Sequence, residues 1–594
     1  MEIQRADNLK YRLLNWGLGI LLSFLLYGYV VHNIPYQLCE LEHENLFVAD
    51  ADTWMSVWAM PGGLAEVLCL WLTQFLAVPY VGSLIFLLPV LLLWPVTVLL
   101  LKRTGASSVL IHSGASGVVV AQLFTQYDFN FYESGSIAML AALLCLYAIS
   151  YIKHLSYRWA VFIGGIPCVA WLFGSIVVMY VVYGSLLFFF ASRQKYMPAV
   201  SLLALGMVLV LGNWLGCINK LELFISPAFY YRPLVDFPVI HWISWGFPIF
   251  LLVVVGFFPH WGASWKPVTR GIVISCLWGL VFGIFLRYES LFRNTSNQTL
   301  WQLNHYSFRE EWKDMLDFLS SRQPITNQLY MNYANMALAQ TGHLGDYAFH
   351  FSPRGIKSLL VEANSTASVY MLMSDVQYTI GGIADSQRYA FEAQTALPRM
   401  CGVQTLMRLV KTNLILGHDM VAEKYLALLE KTLFYKKWAQ HYRMFLHNPQ
   451  AVEADEELGE KRRGLSKHNR FVMSHGWNRE LEDVLQADPS NKKVVAYLGL
   501  SYLLAKDLQG YRHFLETYYG TEALETLPLA FQQGVIAAYP EETEKWEHYR
   551  VTSQVKDLYV RYVKQLQGLR GYPGKKRQMK REYGYTFWYY YMFI

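Results

Sequence analysis

Apolar residues fill the first half of this chain in long runs and, near Arg287, give way to the spaced apolar positions of soluble helices. A helix that crosses a bilayer needs roughly 20 mostly apolar residues. Runs of that kind fall at about 13–32, 81–101, 106–124, 135–152, 159–173, 174–191, 197–216, 240–258 and 271–287. Residues 1–287 are therefore expected to form a polytopic transmembrane helix bundle of about nine spans. Segment 62–78, GGLAEVLCLWLTQFLAV, is the exception. Its Leu64, Leu68, Trp71, Leu72 and Phe75 recur at helical spacing, while Glu66, Thr73 and Gln74 interrupt the other face. That pattern suits a helix lying in the membrane interface, with Pro61 and Pro79 marking its ends. A true crossing there would invert everything downstream.

From 288 to 570 the periodicity is that of soluble helices. NYANMALAQTGHLGDYAF sets small and apolar residues at helical spacing, turns at Gly342 and continues as a second helix. The pattern returns in YMLMSDVQYTIGGIADSQRYAFEAQTALP, turning at Gly381/Gly382, and in LVKTNLILGHDMVAEKYLALLEK, turning at Gly417. A fourth copy, DPSNKKVVAYLGLSYLLAKDL, spaces Leu498, Gly499 and Tyr502 as a tetratricopeptide first helix does. The first three turns lie about 35–39 residues apart, close to the roughly 34-residue period of such repeats. The expected fold class is all-α: a transmembrane bundle followed by a soluble, TPR-like α-solenoid. A charged segment, 455–470, separates the third and fourth copies. The chain closes in a basic-aromatic tail, 571–594, where Lys575, Lys576, Arg577, Lys580 and Arg581 lead into the block Tyr583–Phe593. Such a tail either meets the membrane interface or caps the last solenoid helices.

Composition sharpens this picture. Apolar residues make up 54% of the 594 and charged ones 16%, well below the usual quarter. Lysine and arginine set the orientation. Arg5, Lys10 and Arg12 precede the first span, and Lys102, Arg103, Lys153, Arg158, Arg193, Lys195, Lys266 and Arg270 follow alternate ones. With nine spans these positions share one side, the cytoplasm. Loops 33–80, 125–134 and 217–239 then lie opposite, with most of the acids, and the C-terminal half lies outside the cytoplasm. The expected location is the inner (cytoplasmic) membrane, with the N-terminus cytoplasmic and the C-terminal domain periplasmic. A formal charge of +6 over this length does not argue for nucleic acid as a partner. The seven cysteines form no CxxC or disulfide framework.

Candidate chemistry is concentrated in the stretch after the first span, Cys39–Pro61, which carries Glu40, Glu42, His43, Glu44, Asp50 and Asp52. Acids beside a membrane are costly to bury, so this stretch either faces water or lines a site. In the third span Ser108, His112 and Ser116 stand four residues apart on one helical face. They either glue helices together or line a polar path with His112 as the titrating group. No Walker A, GxGxxG, HExxH, EF-hand or GxSxG string occurs.

Two resemblances follow. PGGLAEVL and QFLAVPYVGSL near the N-terminus, the MALAQTGHLGDYAF region and the TFWYYYMF tail resemble an uncharacterised Gram-negative membrane-protein family, a domain of unknown function. The architecture is similar to the GT-C class of membrane glycosyltransferases, by position rather than by any diagnostic string. That second resemblance implies a lipid-phosphate-linked sugar as donor in envelope glycan assembly. A carboxylate would take the acceptor's proton, and positive charge or a divalent cation would hold the leaving phosphate. Asp50 and Asp52 are the base or metal candidates, Glu44 is next, and Arg232 in YYRPLVDFP is the candidate for the phosphate. The rival is a non-catalytic scaffold whose solenoid gathers protein or peptide partners of the envelope. Transport, motivated by the third span, comes last.

Overall fold

A computed structural model of the chain describes residues 2–192, 194–233, 235–289, 295–465 and 476–594. The side chains of Arg5, Lys10 and Arg12, the residue Arg193 and positions 466–470 of the charged segment lie outside that description. The described residues are helical throughout, with a single antiparallel bridge, Phe131–Tyr231, as their β contact. They divide into two compact units, Met1–Gln298 and Thr299–Ile594.

The first unit begins with α1 (Glu2–Asn33), α2 (Pro35–Glu44), α3 (Ala51–Trp58), α4 (Gly63–Thr73), α5 (Val81–Lys102), α6 (Ser108–Gln126) and α7 (Ser134–Ile149). It continues with α8 (Leu155–Gly164), α9 (Ile166–Phe173), α10 (Val177–Ser192), α11 (Met197–Trp214), α12 (Leu221–Phe224), α13 (Ile243–Phe257) and α14 (Pro267–Tyr288). Among the described residues seven helical segments are long and apolar enough to cross a membrane. They are Trp16–Asn33 of α1, then α5, α6, the run Leu155–Phe190, α11, Val239–Phe257 and α14. This is a membrane protein.

The sequence pattern counts nine spans, and the difference has two sources. Helix α7 has 16 residues, about 24 Å at 1.5 Å each, short of a hydrocarbon core of about 30 Å. The runs at 159–173 and 174–191 are one apolar stretch of 36 residues, broken into α8, α9 and α10 at Gly165 and Gly174–Ile176. Helix α4 has 11 residues, about 16 Å, too short to cross. Its Leu68 and Trp71 are exposed, and Ala65, Cys69 and Thr73 face the interior. Helix α6 runs through the interior, buried from Val109 to Gln126 except at Ser113. A Cβ on Gly114 would stand 2.2 Å from Leu251, and one on Gly117 2.3 Å from Phe247, so these two glycines let α13 approach closely.

The second unit is built from helix pairs whose turns share one geometry. Helices 328–340, 367–380 and 403–416 end at Gly342, Gly381 and Gly417, with φ of 77°, 87° and 76°. In each, the next amide bonds a carbonyl five residues back: His343 to Leu338 at 2.7 Å, Gly382 to Gln377 at 2.9 Å, His418 to Asn413 at 2.8 Å. This is the Schellman cap, which satisfies orphan carbonyls and reverses the chain. Helix 492–505 closes in the same way, with Lys506 at φ 58° and Asp507 bonding Tyr502 at 3.0 Å.

The tail packs inward. Phe587, Trp588, Tyr589 and Tyr590 are buried in the second unit's core. Trp588 Nε1 donates to the Gln533 carbonyl at 2.9 Å, and the Tyr590 hydroxyl donates to the Leu504 carbonyl at 2.6 Å. Of the two readings of the tail, these side chains fit the capping one.

Candidate functional site

The acidic stretch after α1 is largely folded and inward-facing. Pro35, at home in a first helical turn, opens α2, whose Glu40, Glu42, His43 and Glu44 are all buried. Burying four such side chains is tolerable only with partners. Glu44 has one from far along the chain: its carboxylate accepts a hydrogen bond from Arg232 Nη2. The two side chains are 9% and 17% exposed. The Arg232 guanidinium also lies over the Phe129 ring, 4.4 Å from its centroid. Burial works against its charge, but Glu44, with Tyr132 and Glu40, outweighs that and holds its pKa above the usual value. Arg232 Nε is buried without a hydrogen-bond partner.

The YYR string delivers Arg232 to this point. Tyr132 N–H donates to the Tyr230 carbonyl at 2.8 Å, and Arg232 N–H to the Asn130 carbonyl at 3.0 Å. This clamps loop 226–233 along loop 128–133. Tyr230 fills the broken helix: its hydroxyl donates to the Phe173 carbonyl and accepts from Ile176 N–H at 3.2 Å. A helix interrupted among apolar segments leaves backbone groups that another part of the protein must satisfy. Tyr231 donates to Asp128 Oδ2 at 2.8 Å, and His241 Nε2 lies 2.9 Å from the same oxygen. Burial raises the Asp128 pKa, but His241, the Asn130 N–H and Tyr231 together bring it below the ordinary carboxylate value. At the end of the same loop Glu133 is buried, its Oε1 without a hydrogen bond, and burial pushes its carboxyl up to about 8.

The PGGL string has a matching role. Gly62 sits at φ +87°, donates to the Trp171 carbonyl at 2.8 Å and packs against Phe229, where a Cβ would stand 3.1 Å away. Helix α4 is thereby seated against the same broken helix and the same loop that carries Arg232.

The sequence candidates are thus divided. Glu44 and Arg232 are brought into contact. Asp50 is half-buried at the N-terminus of α3, and Asp52 in its first turn is exposed. Ser108 is half-buried at the start of α6. His112 is buried with its ring 5.9 Å from that of Trp94, and its backbone carbonyl accepts from Trp278 Nε1 at 3.1 Å. Ser116 is fully buried and donates back to the Ser113 carbonyl of its own helix at 2.8 Å. The Trp94 and Trp278 contacts join α6 to α5 and α14, while the Ser116 bond stays within α6. Among the described residues no three His, Cys, Asp or Glu side chains converge as a metal set. The sequence reading passed over the Asp128–Tyr231–His241 group. Asp128 and Tyr231 stand in loops 125–134 and 217–239, assigned to the same side, but the sequence pattern places His241 inside the span 240–258.

A protein-family model described as a family of unknown function (DUF6057) matches residues 10–594. No curated protein and no solved structure matches the chain.

Proposed function

The chain belongs to that family of unknown function, which brings no activity with it, and from the site itself we propose a membrane glycosyltransferase similar to the GT-C class. It moves a sugar from a lipid-phosphate carrier to an acceptor hydroxyl in envelope glycan assembly. On this reading it works at the periplasmic face of an inner membrane, with its N-terminus cytoplasmic and its second unit a periplasmic, TPR-like solenoid.

The observation that carries the proposal is the buried contact of Glu44 with Arg232. In the resting site each neutralises the other. The donor's phosphate takes Arg232 from Glu44, because a guanidinium grips phosphate oxygens through fixed, charge-assisted forks. Glu44, its counter-charge gone, becomes more basic. The acceptor oxygen then attacks the anomeric carbon and its proton passes to the Glu44 carboxylate. The bond from the anomeric carbon to the phosphate oxygen breaks, and its electron pair leaves with the lipid phosphate, stabilised by Arg232. Asp50 and Asp52, at the edge of the same stretch, are the alternative bases.

A scaffold without catalysis is the second reading. It is favoured by the exposure of Asp52 and by the paired helices of the second unit. One experiment separates the two. Full-length protein is mixed with polyprenyl phosphate in detergent and the complex is followed by native mass spectrometry. Binding that is strong in the wild type and lost in Arg232→Gln supports the enzyme. Equal binding by Arg232→Gln, together with full complementation of a deletion strain by Glu44→Gln, would leave the scaffold.

A further inference from the structure

Within the second unit, helices 328–340, 367–380, 403–416 and 456–463 contribute to a cavity of about 580 Å³, inside the range of small-ligand sites. Three successive pairs present it with equivalent positions. Met336, Asp375 and Lys411 each stand six residues before the glycine that ends their helix. The repeat therefore places a different side chain at one register in each copy, as a built site requires.

Six of the nine charges lining the cavity form three pairs. Arg408 Nη2 donates to Asp375 at 2.8 Å, and Lys411 Nζ to the two Glu457 oxygens at 2.7 and 2.9 Å. Lys461 Nζ donates to Glu460 at 2.9 Å and to the Thr379 carbonyl at 3.1 Å. The whole lining holds four Lys and Arg against five Asp and Glu, so there is no surplus of positive charge for a phosphate or a carboxylate. Aromatic faces stand among these pairs. Tyr378 carries the Arg408 guanidinium 3.7 Å over its ring and donates its hydroxyl to Glu457 at 2.7 Å. Trp438 is half-buried and stacks one face on Tyr442, with ring centroids 4.1 Å apart, and Trp312 also lines the space. Arg408 Nε and Nη1 are buried without hydrogen-bond partners.

We propose that this cavity binds a neutral oligosaccharide. A sugar ring offers an apolar C–H face to an aromatic side chain and hydroxyls that both donate and accept. Paired carboxylates and cations are fixed arrays of acceptors and donors without net charge, so they serve hydroxyls where they would reject an ion. A ligand whose charge engaged Arg408, Lys411 or Lys461 would have to break an ion pair and leave its partner uncompensated. The site is independent of Glu44 and Arg232, so it and the proposed reaction stand or fall separately.

The test uses the full-length chain in nanodiscs, fluorescently labelled, on an array of neutral gluco-, manno-, galacto- and N-acetylhexosamine oligomers, with acidic peptides in parallel. At least one neutral series should bind, with little dependence on salt. Trp438→Ala should weaken that binding at least tenfold, and Trp438→Phe, which keeps an aromatic face, should restore most of it. Arg408→Lys keeps the charge and loses the planar fork, and should also weaken binding. Three outcomes would overturn the proposal: no neutral sugar bound by folded protein, binding indifferent to both Trp438→Ala and Arg408→Lys, or acidic peptides bound in place of sugars with affinity that collapses as salt rises.

Discussion

Removing either partner of the Glu44–Arg232 pair should destabilise the first unit by about 3–5 kcal/mol, because a single deletion leaves the other charge buried and uncompensated. The side chains are 9% and 17% exposed, so the solvent screening that reduces surface pairs to about 0–1 kcal/mol is largely absent. Glu44→Gln leaves the guanidinium over Phe129 without its nearest counter-charge. Arg232→Gln leaves a carboxylate on the same short helix as the buried Glu40 and Glu42. The double variant Glu44→Gln/Arg232→Gln places two amides that can bond each other. It should therefore cost about as much as either single change, so the coupling equals one single effect, about 3–5 kcal/mol. Thermal unfolding of the full chain in detergent is the assay. At about 2–4 °C per kcal/mol for a mid-sized domain, each single variant should lower the midpoint by on the order of 10 °C. Single effects below about 1 kcal/mol that simply add in the double variant would refute the reasoning, because they would mean that water screens the pair.

Further outcomes follow from neighbouring groups. Burial raises the Glu133 carboxyl from 4.5 to about 8, so the folded state keeps a proton that the unfolded chain has lost. Stability from this group should fall as pH rises between those values, and Glu133→Gln should flatten that fall in a series of melting curves. Asp128 has the opposite sign. Its pKa lies below the usual value, so its contribution is present above the ordinary carboxylate range and lost as pH drops through its folded pKa. Asp128→Asn should remove that acid-side slope. If Asp50 or Asp52 is the base, its Asn variant should cost about 10²–10⁴ in turnover. As solvated charges, both should change stability by less than about 0.5 kcal/mol, and complementation at normal protein level tells the two apart. Trp588→Ala should cost the second unit about 3–5 kcal/mol, read by urea titration, because that indole is buried and bonded to Gln533.

Local pattern accounts for much of this molecule. Helical content, the change of character near Arg287 and the turns at Gly342, Gly381 and Gly417 are all carried by neighbours a few residues apart. Periodicity and glycine's tolerance of positive φ act at that range. Lys506 marks the limit of such reading, since it takes the same left-handed cap position without the residue that announces it. The break at Gly174 falls where the sequence divides the runs 159–173 and 174–191, but no local pattern says what satisfies the backbone it exposes; here Tyr230 from a distant loop does so.

The site was decided by tertiary structure. Glu44 and Arg232 are 188 residues apart, and both are visible in the sequence as candidates, yet no periodicity relates them. Their contact depends on α2 turning its acids inward and on loop 226–233 being clamped along loop 128–133. Whether an acidic stretch is solvated or buried depends on what stands opposite it, and a one-dimensional pattern holds no information about that.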